Sequence, residues 1–65
     1  MPTITDIRAA RIAARPKISQ RELADRAGVT APTVIRMEAG VKPSRPDIVE
    51  RVQSALAEMI AERQP

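Results

Sequence analysis

Most of the side chains with chemistry to offer are cations. Eleven Lys and Arg stand against eight Asp and Glu among 65 residues, and there is no His and no Cys. Disulfides, zinc fingers and Cys/His catalysis are thereby excluded. Glu58 and Glu62 are four apart, a spacing open to a carboxylate pair on a helix, but the ordinary reading is a solvated acidic face. No glycine-rich phosphate loop, metal-ligand cluster or activated nucleophile accompanies them, so the sequence argues against an enzyme and calls for no cofactor. What remains is recognition of an anion. Up to residue 45, nine Lys/Arg face four Asp/Glu; from residue 46 onward the balance reverses to two against four. A basic body with an acidic end suits a polyanion on one side and something else on the other, although small domains vary this much by chance. Arg36 is one arginine whose planar fork could bond guanine O6 and N7 together, the plainer readings being a phosphate contact or a surface ion pair. The lack of Phe, Tyr and Trp argues against a platform for stacking single-stranded bases.

Arg36 sits inside the stretch Ser19 to Gly40, SQRELADRAGVTAPTVIRMEAG, which carries two helix starts around one sharp turn. Ser19 with Glu22 is a capping box. Leu23, Ala24 and Ala27 follow at helical spacing, and Gly28 ends the run where a positive φ is wanted. Val29 turns inward, Thr30 is a second N-cap, and Pro32 falls in the first turn of the next helix, where its missing N–H is harmless. Val34 and Met37 form that helix's apolar stripe before Gly40. Ala24 is small where the two helices must cross. Two short helices joined this tightly meet at a steep angle, as a helix-turn-helix, and such a unit offers the start of its second helix to the major groove of DNA.

The string resembles the Cro/CI-type (lambda-repressor-like) helix-turn-helix family through Ser19-Gln20, Glu22-Leu23-Ala24, Ala27-Gly28-Val29-Thr30, Thr33-Val34, Arg36-Met37-Glu38 and Gly40. The resemblance implies an all-α domain, four helices with a fifth as the alternative, holding its helix-turn-helix at about residues 19–39. It also implies where double-stranded DNA lies. The base-facing positions are those of Ala31, Pro32, Ile35 and Arg36, and the phosphate-facing ones those of Ser19, Gln20, Thr30, Thr33, Lys42 and Arg45. Relatives often carry hydrogen-bonding residues where this chain has Ala31 and Pro32, which can only pack against a thymine methyl. Ile35 is either another methyl contact or partial core. Lys42 and Arg45 should supply affinity rather than sequence choice. Arg11 and Glu38 correspond to an arginine and glutamate that pair between helices in the family, an interaction worth little if it lies on the surface.

Outside the motif, Thr3 or Thr5 can cap a first helix running to about Arg15, with Pro16 forcing the exit. Ile4, Ile7, Ala10 and Ala14 form its inward stripe, with Arg8, Arg11 and Arg15 pointing elsewhere. Ser44 is the expected cap of a last helix with Pro46 and Asp47 in its first turn, unbroken to Arg63. Relatives usually interrupt this region with a Gly-containing turn. Ile48, Val49, Val52, Ala55, Leu56, Met59 and Ile60 give the helix a broad apolar face. A chain this size buries only about 60% of its unfolded surface, so its core is not expected to cover the far end of that face. Leu56, Met59 and Ile60 are therefore assigned to a dimer contact; the competing reading folds them onto the chain's own core.

One domain over residues 1–65 is expected, cytoplasmic, with no leader and no membrane span. The primary functional reading is a homodimeric repressor that binds a palindromic operator and regulates its own operon, with no small-molecule effector. As a standalone domain it resembles phage Cro-like repressors, restriction-modification controllers and anti-CRISPR-associated regulators. The alternative is an antitoxin-like interaction protein whose C-terminal helix binds another protein.

Overall fold

The computed structural model describes residues 4–63. Four helices follow one another: α1 (Ile4–Ala13), α2 (Gln20–Ala27), α3 (Ala31–Glu38) and α4 (Pro46–Arg63). The architecture is all-helical, and α4 runs as one uninterrupted helix of 18 residues, with no fifth helix among the described residues. None of these helices is long and apolar enough to cross a membrane.

Local chemistry accounts for α2 and for its exit. The Ser19 hydroxyl accepts the Glu22 amide at 3.0 Å, and the Ser19 amide donates to Glu22 Oε1 at 3.2 Å, closing the capping box. The Arg63 guanidinium lies 3.1 Å from Glu22, and the Ser19 bonds above all hold this carboxyl below the usual carboxylate range. At the other end Gly28 has φ +75°. Its amide donates to Asp25 O at 3.3 Å, and the Val29 amide donates to Ala24 O at 3.0 Å. These two bonds make a Schellman turn, which closes by packing the residue after the glycine against the helix. Val29 does so, half-buried against the core beside the buried Ala24.

Ile18 is fully buried although it follows no helical stripe. It precedes the N-cap Ser19, and Leu23 stands at the fourth helical position; both lie at zero exposure, the pairing of a hydrophobic staple. Ile7, Ile18, Leu23, Val34, Met37 and Val52 form the fully buried centre.

Several expectations need correction. α1 ends at Ala13, short of Arg15, whose guanidinium turns back to the carbonyls of Ile12 and Ala14 at 3.2 Å each. Thr5 lies within α1 and so is not its cap; Thr3 lies outside the described residues. The Ile4 side chain also lies outside the described set, while Ile7 is buried and Ala10 and Ala14 pack on the core. Arg11 does not point outward. Ser44 does not cap α4, because Arg45 intervenes before Pro46 and its carbonyl accepts the Ile48 amide at 3.2 Å. Leu56 and Met59 are not left uncovered: each is 5% exposed within the single chain. They are covered because α4 packs along both α1 and α2. Ile60 is only half-buried.

Ion pairs fasten the end of α4. Arg26, in the last turn of α2, pairs with Glu62 and lies 3.5 Å from Glu58. Arg63 Nε donates to the Pro16 carbonyl at 2.9 Å. The acidic pair at Glu58 and Glu62 is thus a clamp on Arg26. The Arg26 bond holds the Glu62 carboxyl below its ordinary range and raises the Arg26 pKa in return.

Candidate nucleic-acid interface

α3 packs against α2 and α1. Val34 and Met37 are buried, and the opposite face, Pro32, Ile35, Arg36 and Ala39, is open to solvent. These four recur at i, i+3, i+4 and i+7, one side of a helix. Arg36 is their only hydrogen-bonding side chain, and it makes no ion pair among the described residues. Ile35 is 48% exposed. Ala31, expected beside them, is half-buried against the core. Ala39 was not anticipated; its place one turn beyond Ile35 was the available signal.

The start of α3 differs in detail from the expected cap. Thr30 has the extended backbone of an N-cap (φ −88°, ψ 153°) and its carbonyl accepts the Thr33 and Val34 amides, but its hydroxyl does not cap the helix. That hydroxyl bonds to the Thr33 hydroxyl at 2.9 Å instead. Thr30 is exposed and Thr33 half-buried.

After α3 the chain turns again by the bonds that end α2. The Gly40 amide (φ +93°) donates to Met37 O at 3.1 Å, and the Val41 amide to Arg36 O at 2.9 Å. The result is a cleft of about 240 Å³ lined by Thr33, Arg36, Met37, Val41, Lys42, Pro43, Ser44 and Ile48. It brings Arg36, Thr33 and Lys42 together. Lys42 is exposed and without an ion pair among the described residues, whereas Arg45, 69% exposed at its side chain, sits outside the cleft 3.3 Å from Asp47.

Gln20 and Ser19 are committed within the chain. Gln20 Nε2 donates to Glu38 Oε1 at 3.0 Å, which joins the start of α2 to the end of α3. The same carboxylate takes Arg11 Nε at 2.8 Å and Nη2 at 2.9 Å, a bidentate pair whose side chains are 9% and 4% exposed. Arg11 Nη1 further donates to the Ile18 carbonyl at 3.0 Å, and the Ile18 amide donates back to the Arg11 carbonyl at 3.2 Å. The expected Arg11–Glu38 pair is therefore present, but it is buried and four-way bonded. Such a pair is strongly coupled to the fold because either partner alone would be a desolvated, uncompensated charge. The network pins α1, α2 and α3 behind the exposed face of α3.

No curated protein and no solved structure matches the chain. A helix-turn-helix family model does, over residues 7–58, from the buried Ile7 of α1 into the last turns of α4. The match spans most of the sequence and contains both motif helices, the Gly28 turn and the cleft after α3. The chain belongs to the lambda-repressor-like, Cro/CI-type helix-turn-helix family of DNA-binding regulators.

Proposed function

We propose that the protein is a sequence-specific repressor that reads a palindromic operator as a homodimer and regulates its own operon in the cytoplasm. The observation that carries this reading is the solvent-facing side of α3, with Arg36 unpaired beside Lys42 at one cleft. Pro32, Ile35 and Arg36 face bases in this reading; Ser19, Gln20, Thr30, Thr33, Lys42 and Arg45 hold phosphates. Gln20 can do so without leaving Glu38, since its amide nitrogen has a second N–H, and Ser19 without opening the capping box, since its hydroxyl only accepts there and can still donate its own hydrogen. A phosphate near Arg45 would have to replace or share its exposed Asp47 bond, which is worth little.

Dimerisation rests on the economy of one α3. A good bidentate contact discriminates by about 1–3 kcal/mol, and specific sites exceed non-specific ones by about 4–10 kcal/mol. One helix with a single hydrogen-bonding reader falls short, and two copies on one duplex make up the difference. Since Leu56 and Met59 serve the chain's own core, the proposed contact shifts to Ile60 and the shallow cleft it shares with Ala10, Ala13, Ala14 and Arg63. The same burial narrows the surface that α4 could offer to another protein to this cleft as well.

Gel shifts with an isolated half-site and with two half-sites centred about 34–36 Å apart test the proposal. The paired site should bind far more tightly, and Ile60→Glu should abolish that advantage while leaving half-site binding intact. Equal affinity for half and full sites would overturn the dimeric reading.

A further inference from the structure

The outward side of α3 is unusual for a reading surface in what it lacks. Pro32, Ile35 and Ala39 offer neither donor nor acceptor, and all three are solvent-exposed, Ile35 at 48%. Every base edge in the major groove carries polar atoms, and covering them with an apolar side chain leaves desolvated groups without partners. The one apolar group in that groove is the C5-methyl of thymine. Accepting that α3 enters the major groove, an apolar face there favours thymine over the other bases, and it does so by shape and burial.

We infer that this chain selects its operator chiefly through thymine methyl groups packed against Ile35 and its neighbours Pro32 and Ala39, with Arg36 marking a guanine beside them. Ile35 and Arg36 are adjacent on the helix, both exposed, and project to neighbouring parts of the same face. Val34 and Met37 supply the buried face of α3, and Ile35 is not among the residues packed on the core. Its substitution leaves the buried contacts of α3 untouched, which makes it a clean probe.

The test separates the methyl from every hydrogen bond. A random-sequence duplex pool is selected on the protein, and the enriched duplex is then synthesised with thymine or with deoxyuridine, which differs only by the missing methyl. Binding should weaken about fourfold for each contacted thymine, the equivalent of about 0.8 kcal/mol for one buried methylene. Ile35→Ala, with its melting temperature unchanged, should shrink the difference between the two duplexes. Equal binding of thymine and deoxyuridine duplexes, with Arg36→Ala still weakening both, would overturn methyl readout and leave sequence-specific recognition standing. A pool from which no duplex is enriched would overturn the specific reading itself, and this inference with it.

Discussion

After α2 and again after α3 the chain leaves its helix by the same pair of backbone bonds, through Gly28 and through Gly40. The side chains treat the two turns in opposite ways. After α2 the next residue, Val29, packs inward beside Ala24 and fixes the crossing of the motif helices. After α3 the next residue, Val41, is 55% exposed, beside Arg36 and Lys42 in an open cleft. The second turn is secured from within by polar bonds instead: Glu38, in the last turn of α3, carries Arg11 and Gln20. One backbone device thus serves as a core joint in the first case. In the second it presents a surface, and the buried ion pair behind it replaces the missing apolar contact.

Breaking that replacement should have the largest effect. Glu38→Ala leaves the Arg11 guanidinium buried with the Ile18 carbonyl and no carboxylate, at about 3–5 kcal/mol. A chain of this length is stable by about 3–10 kcal/mol, so chemical denaturation should find Glu38→Ala marginal or unfolded at room temperature. A loss below about 1 kcal/mol would mean the pair is dispensable and the second turn stands by itself.

The same substitution at the two matching positions sharpens the contrast. Val29→Asp places a carboxylate against the core and should lower stability by about 1–3 kcal/mol. Val41→Asp should stay within about 0.5 kcal/mol of the parent. It should instead weaken binding to any duplex and reduce the salt dependence by about one unit, as if one phosphate contact were lost. Equal destabilisation by both variants would erase the distinction.

The difference between the turns also marks what could be read in the sequence. Ser19, Glu22 and Gly28 announce α2 because their interactions close within a few residues. The outward face of α3 follows from Val34 and Met37 being inward. Helical periodicity alone puts Arg11 outside, and only its distant partner Glu38 turns it inward; the family resemblance supplies that pair where periodicity cannot. Ile18 belongs to no stripe, and its signal was its position just before the N-cap. Leu56 and Met59 read as contacts for a second chain because a count of apolar residues does not reveal how far an 18-residue helix, about 27 Å long, stays in contact with α1 and α2.

Replacing the glycines tests the backbone device separately from the side chains. A Cβ at Gly28 or at Gly40 would meet nothing within 4 Å, so alanine is penalised only by the positive φ. Each Gly→Ala variant should lose about 1–2 kcal/mol in thermal melts, and each Gly→Asn variant less, since asparagine tolerates that region. Unequal losses would show that the two turns differ in their backbones as well as in their surroundings.

The smallest effect concerns how the end of α2 is held from outside. Arg26 stands just before the first turn and grips Glu62, while Glu22 at the start of α2 takes Arg63. Both carboxyls are held below their ordinary range in the folded chain, Glu62 by Arg26 and Glu22 chiefly by Ser19. A depressed carboxyl contributes stability that is fully present above its unfolded value and disappears as pH falls through its folded value. Stability should therefore be flat near neutrality and decline in the acid range below the usual carboxylate values. Glu62→Gln cannot titrate at this position and should show a shallower decline, with only a slight loss at neutral pH because the clamp is exposed and screened. Salt should mimic part of the acid effect in the parent chain and have less effect in Glu62→Gln. Parallel acid profiles for the parent and Glu62→Gln would show that the outer clamp adds nothing, leaving Val29 and the Gly28 turn to hold the end of α2 unaided.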